Sequence, residues 1–117
     1  MAQSKSKRML QYLARYDALK AELQAIGFVG QGSVQTRSME CGKTPCRCHE
    51  DPANRHGPYH YWTRKSRGKT VGLKLTADEL PLYREWIENN RNLERVLRQM
   101  RTVSTRALAL TTGRKAP

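Results

Sequence analysis

The sequence predicts a small α+β fold. It combines a three-stranded antiparallel sheet and a Cys/His zinc-type loop with an N-terminal helix and a long C-terminal helix. Three observations lead there. Apolar residues recur three and four apart near both ends of the chain, the pattern of amphipathic helices. Residues 58–76 read as two extended runs around a turn. All three cysteines and all three histidines fall between Cys41 and His60. A chain of 117 residues suffices for one domain, expected to span residues 1–117.

The first helix is expected over residues 7–26. Met9, Tyr12, Tyr16, Leu19, Leu23 and Ile26 form its stripe, and Gly27 is a plausible stop. "GFVGQGS" then reads as a turn or linker. The sheet and its loop are expected over residues 33–76. "SVQTRSM" is a short strand candidate, "PYHYWTRK" an aromatic strand, "SRGK" a turn and "TVGLKLT" the returning strand. In that last run Val71, Leu73 and Leu75 point one way, and Thr70, Gly72 and Lys74 the other. The long helix is expected over residues 77–106. Thr76 and Glu79 have capping-box spacing, although Pro81 would cost a backbone hydrogen bond if the helix began at residue 77. Leu82, Trp86, Leu93, Val96, Leu97 and Met100 gather on one of its faces. Residues 1–6 and 107–117 are assigned to flexible tails. With so few apolar residues, the two helices are expected to pack antiparallel on each other or to pair between chains as a short coiled coil. A homodimer or a larger protein partner follows from the second option.

The segment between the first two strands carries the metal chemistry. Cys41, Cys46 and Cys48 have the spacing C-x4-C-x-C, and histidines follow at 49, 56 and 60. Zinc takes four tetrahedral ligands from thiolate sulfur and imidazole nitrogen, and three thiolates with one imidazole is a standard structural set. Gly42 and Pro45 let the chain double back. Cys46 and Cys48, in an extended C-x-C, can project to one side. His56 is the chosen fourth ligand, because it lies far enough along to close the loop and Gly57-Pro58 can redirect the chain. His49 sits directly beside Cys48 and would strain the site. His60, inside the strand, is the runner-up. A redox C-x-C pair and ordinary buried thiols are the competing readings.

The net charge of +12 favours a polyanionic partner, DNA or RNA. It is concentrated in residues 58–75, which carry Arg64, Lys65, Arg67, Lys69 and Lys74 and no carboxylate. Tyr59, Tyr61 and Trp62 lie beside them. Bases of this kind neutralise phosphates, and aromatics stack on nucleobases. Trp62 and one tyrosine are expected in the core. On the long helix, Arg84, Arg91, Arg95 and Arg98 fall within a fan of roughly 60°. They form either a second phosphate-tracking row or a solvated face of intrahelical pairs.

Other classes fit poorly. No run approaches the roughly 18 apolar residues of a membrane span, and the N-terminus lacks a secretory pattern. A cytoplasmic location with reduced thiols is expected. No phosphate-cradling glycine loop is present. His56 and His60 stand about 13 Å apart if extended, too far to share a catalytic metal. A binding protein, not an enzyme, is expected.

The stretches "GSVQTR", "CGKTPCRC", "HGPYHYW" and "LYREWIENNRNLERVL" occur in that order. Together they resemble a family of short bacterial proteins of unknown function, a domain of unknown function. Its core reads G-S-V, then C-G-K-x-x-C-x-C, then H-G-P-Y-x-Y, a basic hairpin, and a helix beginning near Y-x-x-W. The likeness covers about residues 32–97 and rests on Cys41, Gly42, Lys43, Cys46, Cys48, His56, Gly57, Pro58, Tyr59 and Tyr61. It implies that the Cys/His segment and the hairpin form one unit, and that the protein accompanies mobile elements. It supplies no activity. His60 stands where a third aromatic is common in the pattern, which supports His56 as the ligand. The resulting expectation is a zinc-stabilised nucleic-acid-binding accessory or regulatory protein. The alternative is a protein–protein adaptor that binds through its helices and uses its charge for solubility or for an acidic partner.

Overall fold

A computed structural model describes residues 4–43 and 45–115. The parts of the expected tails at residues 1–3 and 116–117 lie outside the described residues. In chain order the elements are α1 (Lys5–Ala25), β1 (Ser33–Met39), two single 3-10 turns (Arg47–His49 and Pro52–Asn54), β2 (His56–Ser66), β3 (Lys69–Leu75) and α2 (Leu80–Thr112). The α+β class and the three-stranded antiparallel sheet are as the sequence predicts. These elements pack as two compact units. One is helical, made of residues up to 29 and from 89 onward. The other, Gly30–Glu88, holds the sheet.

In the helical unit α1 begins at Lys5, two residues earlier than expected, because Ser4 caps it. The Ser4 hydroxyl accepts from the Lys7 amide at 3.2 Å. Ile26 is already extended, at φ −73° and ψ 130°, so the helix ends before Gly27. Gly27 serves a close approach instead of a cap. A Cβ there would stand 3.2 Å from Asn89 Nδ2, which donates to the Phe28 carbonyl at 2.9 Å.

The two helices run antiparallel within the chain. Arg15 donates to Gln99 Oε1 at 3.2 Å, and Arg95 meets Glu22 at 3.4 Å. Position rises along one helix as it falls along the other. Leu19 and Val96 are fully buried between them, with Val103 beside them and Tyr12, Tyr16, Leu23, Ile26 and Met100 packed around. Every residue of the predicted α1 stripe that touches this core keeps its three-and-four spacing.

The α2 stripe is partly corrected. Ile87, Val96, Val103 and Leu110 are the buried positions, whereas Leu82 is 48% and Trp86 37% exposed. The helix contributes its first turns to the sheet unit and its remainder to the helical unit, so no single straight stripe describes it. It also runs past the predicted end at residue 106. Leu110 is buried there, Thr111 and Thr112 hydroxyls donate to the Ala107 and Leu108 carbonyls at 2.8 Å each, and Gly113 ends the helix at φ +71°.

The start of α2 resolves the Pro81 conflict. The Thr76 amide donates to Glu79 Oε1 at 2.9 Å, and the Glu79 amide donates to Thr76 Oγ1 at 3.2 Å. This is the reciprocal capping box. The α-helical hydrogen bonding proper begins at Leu80, so Pro81 sits in the first turn, where an amide is not needed.

The sheet order is β1-β2-β3, antiparallel throughout. Ser33 pairs with Thr63, and Thr63 in turn with Gly72. A two-residue turn, Arg67 (φ +51°) and Gly68 (φ +78°), joins β2 to β3, the primed geometry that matches strand twist. One face of the sheet carries Val34, Trp62, Leu73 and the buried Leu75. Trp62 packs on Tyr83 of α2 with ring centroids 5.1 Å apart, and its indole N–H donates to the Gln31 carbonyl at 2.7 Å. Trp62 is half-buried, packed on α2 but outside the fully buried set. Gly32, at φ +89°, admits no other residue, because a Cβ there would stand 2.1 Å from the Thr63 carbonyl oxygen.

Candidate metal centre

The loop between β1 and β2 folds back through short local hydrogen bonds. The Cys46 amide donates to the Lys43 carbonyl at 3.1 Å, and the His49 amide donates to the Cys46 carbonyl at 3.2 Å. These place Cys48 in the middle of the first 3-10 turn, where it is buried. Asp51 caps the second turn by accepting from the Ala53 amide at 3.0 Å, with Pro52 in its first turn. Thr44 lies outside the described residues. From Arg55 the chain passes directly into β2, whose first residue is His56.

The strand register explains how His56 comes to face the cysteines. Arg37 pairs with Tyr59, but Met39 pairs with His56, so β2 carries one residue more than β1 at this point. Such a bulge reverses which face a side chain takes. In an unbroken strand His56 and His60 would share a face; the extra residue separates them. The bulge falls at Gly57-Pro58, which is a cis peptide bond. Gly57 sits at φ +114°, and a Cβ there would come within 2.8 Å of the Arg37 carbonyl oxygen.

Cys41, Cys46, Cys48 and His56 each offer one ligand atom, and these four atoms lie within 4.8 Å of one another. The Cys41 and Cys48 sulfurs are 3.7 Å apart, and Cys46 Sγ is 3.3 Å from His56 Nε2. Around a zinc ion with Zn–S near 2.3 Å and Zn–N near 2.0 Å, the tetrahedral edges would be about 3.8 Å and about 3.5 Å. The donor set and its spacing fit a four-coordinate ion.

The electrostatics point the same way. The Cys46 thiol is held down to about 6, first by a hydrogen bond from the Cys48 backbone amide and then by His56. Burial pushes the Cys48 thiol up to about 11. The Cys41 amide donates to Cys48 Sγ at 3.2 Å, a contact suited to a thiolate. A cation at the centre of the four would remove the cost of ionising the buried sulfur.

The other two histidines are engaged elsewhere. His49 Nδ1 meets Glu40 Oε2 at 3.0 Å. His60 Nδ1 shares a hydrogen bond with Thr36 Oγ1, its cross-strand partner, at 2.8 Å. The runner-up ligand is thus part of the sheet, and the structure brings His56 to the three cysteines.

The basic residues divide by face. Strand alternation puts Tyr59, Tyr61, Lys65 and Lys74 on the side away from Trp62, together with Gln35 and Arg37. Lys74 Nζ lies 4.1 Å from the Tyr59 ring centroid, and the Arg37 guanidinium lies 5.6 Å from that of Tyr61. Arg64 belongs to the opposite face, with its guanidinium 4.1 Å from the centroid of Trp62. By the same alternation Lys69 shares that face with Arg64, and Arg67 occupies the turn.

The α2 arginines differ in their partners. Arg95 hydrogen-bonds Asn92 at 2.7 Å, Gln99 at 3.4 Å and Glu22 of α1 at 3.4 Å, so it clasps the helical unit. Arg98 is exposed, and Arg91 is exposed too, though not without partners. Arg37, which the sequence does not single out, lies on the same face as the tyrosines. Its position in "SVQTRSM" signals the face, but only the pairing of β1 with β2 puts it beside the tyrosines.

Residues 9–85 match the family model described as Domain of unknown function (DUF6788). No curated protein and no solved structure matches the chain.

Proposed function

The chain belongs to the DUF6788 family, a domain of unknown function, and from that premise we propose that it is a zinc-stabilised nucleic-acid-binding protein of accessory or regulatory kind. The observation that carries this reading is the position of β2. The strand that begins with the ligand His56 is the one that presents Tyr59, Tyr61 and Lys65. Zinc is the metal favoured by three thiolates and one imidazole in a cytosol-like reducing setting. Four protein ligands leave no open position on the ion, so its part is to hold the loop and the root of the ribbon. Lys65, Arg67, Lys69 and Lys74 then supply phosphate contacts without an acidic residue anywhere in residues 58–75. The family resemblance adds the idea of a mobile-element accessory.

Two measurements test the proposal. Elemental analysis of purified protein is expected to give one zinc per chain. Binding to short DNA and RNA is expected to weaken with salt, with a slope of about −3 in log affinity against log salt for four neutralised phosphates. Reversing charge at Lys65, Arg67, Lys69 and Lys74 is expected to abolish that binding. Unchanged affinity would move the reading to the adaptor alternative. Exposed Leu10, Leu13 and Leu108 on the helical unit favour that second reading, with a protein partner or a second copy as occupant.

A further inference from the structure

The sheet face away from Trp62 has a definite pattern. Across the strands, Gln35, Tyr61 and Lys74 form one row, and Arg37 and Tyr59 form the next. Each cation leans past its direct neighbour to the diagonal ring, Lys74 to Tyr59 and Arg37 to Tyr61. On the other side of Tyr61 the row Ser33, Thr63, Gly72 has only small side chains. A Cβ added at Gly72 would meet nothing closer than Thr63 Cγ2 at 4.0 Å. The result is a shallow trough beside an aromatic pair, with Lys65 continuing the positive charge beyond it.

We infer that this face binds single-stranded nucleic acid, with Tyr59 and Tyr61 as stacking platforms for two successive bases and Arg37, Lys74 and Lys65 as phosphate contacts. The inference rests on the nucleic-acid reading above and narrows it. In a duplex the base faces are covered by their neighbours, and a protein reaches only edges in the grooves. Ring faces at a protein surface have nothing to stack on there. In a single strand unstacked bases are open, and aromatic and cationic groups together hold them. The cation over each tyrosine shows that a ring face, not only an edge, is reachable from the surface.

Spacing supports the same choice. Two residues along a strand cover about 7 Å. That is roughly twice the ~3.4 Å rise between stacked bases. Two bases can use both rings only if the strand is drawn out of its helical stack. As the bases take the ring faces, the two cations exchange a cation–π contact for a charge-assisted bond to phosphate.

Fluorescence anisotropy at fixed low salt tests the inference with four probes of equal length. These are a DNA single strand, its RNA equivalent, the DNA duplex, and an abasic strand with the same charge. At least one single strand is expected to bind tenfold or more tighter than the duplex, and the abasic strand about tenfold weaker than its intact counterpart. The double variant Tyr59→Leu, Tyr61→Leu is expected to bind intact and abasic strands alike, with circular dichroism and metal content checking its fold. If it does not fold, Arg37→Gln with Lys74→Gln leaves the rings in place and is expected to lower single-strand affinity fivefold or more. Equal or tighter duplex binding, an abasic strand held as well as the intact one, or folded variants without effect overturns the single-strand inference and leaves the broader reading standing. Failure of all four probes to bind overturns both.

Discussion

Single residues settle where the ligand loop can join the sheet. Gly57 combines a φ of +114° with a backbone oxygen 2.8 Å from where a Cβ would be. An alanine there must move β1 or the strand that starts at His56. Gly57→Ala is therefore expected to cost about 2 kcal/mol or more and to weaken metal retention. Thermal melts and metal content of the variant check both effects. Gly42 offers a control in the same loop, because nothing lies within 4 Å of its would-be Cβ. The candidate ligands were the most legible residues in the sequence, since thiols and imidazoles occur nowhere else in the chain. Their choice between His56 and His60 depended on a one-residue bulge, which only strand pairing reveals. The Arg64 guanidinium lies over the Trp62 ring, and Arg95 meets Glu22 of the other helix. A basic residue carries no mark in sequence of whether its nearest partner lies in its own fold.

At the scale of elements, the capping box fixes the first turn of α2. Glu79 is held below the usual carboxylate range, first by the Thr76 backbone amide and then by its hydroxyl. A carboxylate whose folded value is depressed contributes stability above its unfolded value, and that contribution is lost as the pH falls through the folded one. Wild-type protein is thus expected to lose part of its stability below about pH 4.5 through this residue. Glu79→Gln keeps the geometry of the cap and removes the charge. Paired thermal melts between pH 6 and pH 3 are expected to show a shallower decline for the variant. The cap itself was legible, because Thr76 and Glu79 have fixed spacing. The far end of α2 was not. Its last turns bury Leu110, seven residues beyond the buried Val103, but the polar TTGRK end that follows obscures that continued period.

For the molecule as a whole, the two units rest on different kinds of support. The helical unit buries Leu19, Val96, Val103 and Leu110. The sheet unit buries Cys48, Leu75 and Ile87, one of them a candidate ligand. Metal binding of this type becomes folding free energy. Removing the ion with a chelator is expected to cost the sheet unit about 3 kcal/mol or more, roughly 10–20 °C in its midpoint. Both tryptophans, Trp62 and Trp86, lie in that unit. Their fluorescence is expected to report the shift, while far-ultraviolet dichroism, dominated by helix, moves less. Equal shifts in both signals would show a single cooperative transition. Among the described residues, the four candidate ligands all lie in the sheet unit.

The odd residue at Gly57-Pro58 acts as a phase shifter between two periodic objects. Upstream of it, side-chain parity serves the sulfur cage; downstream, parity serves the tyrosine ladder. Anyone transplanting the cage onto another β-ribbon must carry that half-step along. Without it the imidazole would swing to the face of His60 and Trp62, and the graft would hold three donors in place of four.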